Sequence, residues 1–226
     1  MAESFIDVWH GDILSEGIDQ QNYYELLNDD EKLKVASFTR PEIQKKFIKT
    51  RGVLRKVLAK YLDTKPQEIK IKIGEHGKPY VENETLFFNL SHTANRLVIA
   101  ISNSSEIGID LEQYKHRKNL QGLVKKCFSE EEKHFWESLS EQQQVMLFYQ
   151  LWVRKEAFVK AIGRGIAVGL DQCSINPEQQ TEFLSIPAEY GTANDWQIID
   201  VQLKKEDACA LVVKNMNFNY KLIELE

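Results

Sequence analysis

Two acids in the segment Ile107-Gly108-Ile109-Asp110-Leu111-Glu112 are the first residues of this 226-residue chain with a spacing that suggests chemistry. In an extended strand, residues two apart share a face, so Asp110 and Glu112 point together while Ile109 and Leu111 point into a core. Side-by-side carboxylates repel. A shared proton, a cationic side chain or a divalent metal relieves the repulsion, and the Lys115-His116-Arg117-Lys118 run that follows offers a purely structural pairing. A second group, Trp152, Glu156 and Lys160, is spaced i, i+4, i+8, which puts an aromatic, an acid and a base on one helical stripe. Together Asp110, Glu112 and Glu156 form an oxygen donor set suited to Mg²⁺, which leaves several of its positions to phosphate and water.

Other residues suit anions. Between residues 40 and 60 stand eight cations and one acid, Glu42. Lys45, Lys49, Lys56 and Lys60 fall on the side away from Phe47, Leu54, Leu58 and Leu62, as a solvated face or a dock for an acidic partner. Arg51 falls inside the apolar arc, where its guanidinium needs an anion, either a structural carboxylate or a ligand phosphate. The turn Gly77-Lys78-Pro79-Tyr80 fixes the backbone around one lysine, and Asn89-Leu90-Ser91-His92-Thr93 gathers donors at the end of a strand. Ser129 and Glu132 fit a capping box. No Gly-x-Ser-x-Gly elbow, Cys nucleophile motif or zinc spacing is present.

The elements that must hold these groups follow from periodicity. Apolar residues at helical spacing predict helices over 19–27, 29–38 and 41–62, then 118–127, 129–139 and 141–162. Alternation predicts strands over 4–9, 69–73, 79–81, 86–90, 97–102 and 107–112, then near 171–175, 182–186, 196–203, 208–214 and 218–224. The repeated order of helices then strands predicts an α+β fold of two halves, 1–105 and 106–226, with a ligand cleft between them. With 42% hydrophobic and 28% charged residues the composition is that of a soluble globular protein, and a formal charge of −5 argues against non-specific nucleic-acid binding. Cys127, Cys173 and Cys209 read as reduced thiols, and no apolar run approaches the ~20 residues a bilayer requires, so a cytoplasmic chain with no membrane contact is expected.

Taken in order, Arg51, Gly77-Lys78-Pro79, Leu90-Ser91-His92-Thr93, Gly108-Ile109-Asp110-Leu111-Glu112 and Trp152-x-x-Lys155-Glu156-Ala157-Phe158-x-Lys160 resemble the surfactin-synthetase-activating (Sfp-type) 4′-phosphopantetheinyl transferases from about residue 28 to 175. The resemblance implies a monomer of two similar α+β halves related by a pseudo-twofold axis, with coenzyme A and Mg²⁺ in the cleft. It implies that Asp110, Glu112 and Glu156 ligate Mg²⁺ with the pyrophosphate of coenzyme A. Arg51, Lys78 and His92 would bind the 3′-phosphate and adenine end, with Ser91 and Thr93 nearby and Lys155 and Lys34 also in contact with coenzyme A. A serine of an apo acyl, peptidyl or aryl carrier protein would attack the β-phosphorus, with Glu156 as base, Lys160 on the leaving group and Glu132 either in the active site or only a cap. Carrier contact is expected within residues 166 to 190. Two other readings fit the same residues: a Mg²⁺-dependent phosphohydrolase of a coenzyme-A-like nucleotide, and a non-catalytic carrier-protein binding module.

Overall fold

A computed structural model describes residues 3–13, 20–82, 85–214 and 217–225. The first part of the chain runs β1 (Phe5–Asp12), α1 (Gln20–Glu25), α2 (Asp29–Ser37), α3 (Pro41–Leu62), β2 (Ile71–Ile73), β3 (Pro79–Val81), β4 (Phe87–Thr93) and β5 (Arg96–Ser102). After it come β6 (Ile107–Gln113), α4 (Leu120–Cys127), α5 (Glu130–Glu137), α6 (Glu141–Ile162), β7 (Ser174–Ile175), β8 (Phe183–Ser185), β9 (Trp196–Asp200), β10 (Asp207–Lys214) and β11 (Asn219–Glu224). The fold is α+β, as expected. The helices over 41–62 and 141–162 have the predicted bounds. The helix expected from Asp19 is described from Gln20, since Asp19 lies outside the described residues. The strand expected over 171–175 shrinks to Ser174–Ile175, because Gly169 at φ 75° starts a short 3₁₀ turn over Leu170–Gln172.

Two main sheets carry the molecule. The first has the order β11-β1-β5-β4, with β11 parallel to β1 and the other pairs antiparallel, and the second is the antiparallel β6-β10-β9. Alternation along the strands assigns each face. On β5, Leu97, Ile99 and Ile101 pack with Leu54 and Leu58 of α3, while Val98 and Ala100 turn to the opposite side. There they meet Ile107, Ile109 and Leu111 of β6 and Leu211 and Val213 of β10. The other face of the second sheet, with Ala208, Ala210 and Val212, packs on Phe158 and Ala161 of α6. The layers are therefore α3, first sheet, second sheet, α6, packed on one another through apolar side chains. The chain's last strand belongs to the first sheet, so a cut at 105/106 does not separate the two sheets cleanly.

Gly108, Asp110 and Glu112 lie on the β6 face turned toward α6, opposite the Ile109 side. A Cβ on Gly108 would collide with the Ala157 carbonyl oxygen and the Ala161 amide nitrogen, so strand and helix touch backbone to backbone there. One helix face also departs from expectation. Lys45, Lys56 and Lys60 are exposed, but Lys49 is only 1% exposed. Helix α1 packs against the same helix α3, so closely at Gly52 that a Cβ there would meet Tyr23. Gly108→Ala is expected to destabilise the protein by about 3 kcal/mol through overpacking, read from the urea unfolding midpoint. A midpoint equal to wild type would mean that β6 and α6 are not in contact at this position.

Candidate active site

The site lies where the edge strand β4 of the first sheet meets the edge strand β6 of the second. The Asn89 side chain joins them, its Oδ1 accepting the Ile109 amide at 2.9 Å. One residue on, Asp110 Oδ1 accepts from Ser91 Oγ at 2.8 Å and from Lys160 Nζ at 2.6 Å, while the same ammonium donates to the Ile109 carbonyl at 3.2 Å. Strand β4, strand β6 and helix α6 thus each contribute one group to a single cluster. Ser91 therefore faces the carboxylate pair and also the adjoining cavity.

Glu156, one helical turn before Lys160, completes the group. Its Oε1 is buried and has no hydrogen-bond partner. Its carboxyl is pushed up to about 7, first by burial, then by the charge of Asp110, with Glu112 adding to the effect and Lys160 opposing it. Glu112 Oε1 stands 3.7 Å from Arg117 Nη2. Among the described residues no three His, Cys, Asp or Glu side chains already enclose a metal position, and the positive charge next to Asp110 is the Lys160 ammonium. An orphaned, buried carboxylate oxygen beside two further carboxylates nevertheless fits a hard divalent cation, which takes oxygen donors and removes their mutual repulsion.

Beside this cluster a cavity of about 620 Å³ opens between α3, the β2–β3 turn and β4, lined by Phe38, Lys46, Thr50, Arg51, His92 and Lys160 among others. Arg51 lies over the Phe47 ring at 5.9 Å and reaches Glu31 only at 3.9 Å, while Arg55 holds that carboxylate at 2.5 Å. Glu31 therefore serves Arg55 first and leaves the Arg51 guanidinium facing the cavity. Lys34 Nζ sits 5.4 Å from the centroid of the same Phe47 ring, outside the cavity lining. Partial desolvation, with Lys46 and Lys160 nearby, holds the His92 imidazole below its ordinary range. Thr50 and Lys46 were not singled out from the sequence; the Thr50 hydroxyl is buried with no partner, and both lie on the α3 face that Arg51 marks. The i, i+4 spacing of Lys46 and Thr50 next to Arg51 was the available signal.

Four expected site residues sit elsewhere. Lys155, expected at the cofactor, is 0% exposed, and its ammonium donates to Glu132 Oε2 at 2.6 Å and to the Cys127 and Leu170 carbonyls, both at 2.9 Å. All three donors are used, so it has none to offer a ligand. Glu132 is equally enclosed, accepting from the Ser129 amide and Lys155 on Oε2 and from the Ile175 amide on Oε1. It is the capping-box residue and a buried counterion, not a free active-site acid. Lys78 donates to the Ala161 carbonyl and to Glu106, and it lines a different cavity, of about 710 Å³, with Tyr80, Phe88 and Trp196. Its ammonium is held instead by the Glu106 carboxylate and the Ala161 carbonyl near the C-terminal end of α6. Thr93 ends β4 one residue past His92 and does not line the cavity.

Comparison with known proteins bears on this arrangement. A family model described as "4'-phosphopantetheinyl transferase superfamily" matches residues 106–213, and one described as "4'-phosphopantetheinyl transferase, N-terminal" matches residues 19–104. A Synechocystis sp. protein provisionally named a 4′-phosphopantetheinyl transferase is 35% identical over 179 residues, covering 78% of this chain and 72% of that protein. The 4′-phosphopantetheinyl transferase HetI of Nostoc sp. is 31% identical over 206 residues, covering 89% and 83%. The Bacillus subtilis 4′-phosphopantetheinyl transferase is 34% identical over 124 residues, 54% of each chain. This chain belongs to the 4′-phosphopantetheinyl transferase family. No helix among the described residues is long and apolar enough to cross a membrane.

Two measurements probe the site without substrate. A carboxyl held protonated in the folded chain contributes stability that is present below its ordinary value of 4.5 and is lost as the pH rises through about 7. In metal-free buffer the unfolding free energy is therefore expected to fall by up to roughly 3 kcal/mol between about pH 5 and pH 8. Glu156→Gln should flatten this decline, and an unchanged decline would assign it to other groups. Lys155→Met leaves Glu132 charged and buried alone, which should cost about 3–5 kcal/mol in a urea melt. The double variant Lys155→Met/Glu132→Met should recover part of that loss, and no recovery would argue against a direct pair.

Proposed function

We propose that this protein is an Sfp-type transferase that moves the 4′-phosphopantetheine group from coenzyme A to a serine of an apo acyl, peptidyl or aryl carrier protein, with Mg²⁺, releasing 3′,5′-ADP. One observation carries the reading: the buried, unpartnered Glu156 oxygen beside Asp110 and Glu112, set against a cavity walled by Arg51, His92 and Lys46. A phosphate-rich nucleotide in that cavity meets the Arg51 guanidinium and the Lys46 ammonium, and the Thr50 hydroxyl gains a partner. Asp110, Glu112 and Glu156 would hold Mg²⁺, which supplies positive charge to the diphosphate during transfer.

The chain's own groups account for the rest. Glu156 takes the proton of the acceptor serine as the serine oxygen bonds to the β-phosphorus. The bond from that phosphorus to the oxygen bridging to the α-phosphate breaks, and the leaving 3′,5′-ADP carries the negative charge. Lys160, held by Asp110 and the Ile109 carbonyl, stands next to that charge, and Ser91 fixes the Asp110 carboxylate that orients Lys160. The paired 22-residue helices α3 and α6, each against one sheet, support two halves related by a pseudo-twofold axis acting as a monomer.

Incubating the protein with an apo acyl carrier protein, coenzyme A and Mg²⁺ should add one phosphopantetheine mass to the carrier in intact mass spectrometry, and EDTA should prevent it. Glu156→Gln should lower turnover more than about a hundredfold with the fold intact. Transfer by Glu156→Gln at the wild-type rate would refute the assigned base and metal site.

A further inference from the structure

The groups of the site stand on two sides of the fold. Asp110 and Glu112 are carried by β6, and Glu156 and Lys160 by α6, whereas Arg51 and Lys46 are on α3 and His92 is on β4. Strands β4 and β6 are edge strands of different sheets, and among the described residues no ladder joins them. How far the carboxylates stand from the cations of the cavity is therefore left to side chains that cross this junction.

Two side chains of β4 make the crossing. Ser91 donates to Asp110 Oδ1, an atom that turns with its own side chain. Asn89 reaches the backbone instead, its Oδ1 accepting the Ile109 amide at 2.9 Å, and the side chain is only 4% exposed. It shares a face of β4 with Phe87 and pairs across the ladder with Ala100, both of which pack in the apolar layer against Ile107 and Ile109. A primary amide in such a layer loses its water, and a directed hydrogen bond is what offsets that loss. The carbonyl of the same residue, Ile109, accepts Lys160 Nζ at 3.2 Å. The residue before Asp110 is thus tied through its amide to β4 and through its carbonyl to α6.

We propose that Asn89 is a positioning residue for the transfer, holding β6 at the height on β4 where the metal-binding carboxylates and the cations of the cavity engage one diphosphate together. This rests on the transferase reading above. Asn89 does not line the cavity, so it acts through Ile109 and not by touching a ligand. Without its bond, Asp110, Glu112 and Glu156 remain grouped on β6 and α6, and Arg51, Lys46 and His92 remain grouped on α3 and β4. Only the distance between the two groups is freed. Metal and nucleotide then each still bind, while their reinforcement of one another and the alignment of the reacting atoms are lost.

The test measures, by calorimetry on the full chain, coenzyme A binding in EDTA, coenzyme A binding in saturating Mg²⁺, and Mg²⁺ binding without nucleotide. In Asn89→Leu, which is close in shape but has no acceptor, Kd for coenzyme A in EDTA and for Mg²⁺ alone should stay within about twofold of wild type, while the factor by which Mg²⁺ tightens coenzyme A falls about tenfold. Its kcat for transfer to an apo acyl carrier protein should fall about tenfold or more, with the carrier KM within about twofold. Asn89→Asp keeps an acceptor oxygen at the same place and should retain the Mg²⁺ effect and kcat within about threefold of wild type. If Asn89→Leu does not fold, Asn89→Thr, whose hydroxyl ends one bond short of the amide, takes its place in the same comparison. A wild-type Mg²⁺ effect and kcat in the Leu or Thr variant would overturn the proposal. So would equal losses in the Leu and Asp variants, or a loss of each separate affinity, which would leave Asn89 a role in the fold alone. Wild-type protein whose coenzyme A affinity ignores Mg²⁺ would refute the metal reading beneath the proposal, and the proposal with it, before any variant is made.

Discussion

The contact between Gly108 and the α6 backbone at Ala157 and Ala161 sets the geometry on which the site depends. A side chain of any size at position 108 would push strand and helix apart, and the carboxylates on β6 would lose both Glu156 and Lys160. Backbone contact costs the strand some conformational stability, since glycine is a poor strand former. The apolar layers on either side of β6 offset this, with Ile107, Ile109 and Leu111 locked against the first sheet and Ala157 and Phe158 against β10. The precision of the charged cluster therefore comes from the apolar packing on either face of β6.

Around that contact the protein treats buried charge in two ways. The Lys155–Glu132 pair is closed: every donor and every oxygen has a partner, and neither side chain meets solvent. The Asp110–Glu156 group is open, with one ammonium among three carboxylates and one oxygen left unpartnered. Closed pairs of this kind join elements, here α5, α6 and the turn before β7, whereas an open group stores an unmet demand for positive charge. Adjacent residues 155 and 156 of one helix take these opposite roles because their side chains leave the axis about 100° apart.

Much of this was legible in the residues. Strand β6 and helices α3 and α6 follow from period 2 and period 3.6 patterns, and the same patterns put Asp110 with Glu112 and Glu156 with Lys160. What periodicity does not encode is which element covers a given face. Lys49 falls on the polar stripe of α3 yet is buried, and Lys155 stands inside the matched motif yet is fully held by Glu132 and two carbonyls. Lys78 was legible as a lysine in a rigid turn, but the direction of its ammonium depends on the α6 carbonyl end, 83 residues away in sequence. Long-range partners of cations were the consistent blind spot, and Arg51, whose partner was open from the start, meets Glu31 only at the margin.

The parallel pairing of β11 with β1, register Phe5 with Asn219 through His10 with Glu224, bears on how the chain comes to be folded during synthesis. Strand β1 is made long before β11, so its outer edge stays unpaired until β11 has emerged. For that interval the nascent protein carries an open strand edge holding Ile6 and Val8, the kind of surface on which chaperones and unwanted strand partners act. The first sheet is therefore begun with β1 and finished only when β11 joins it.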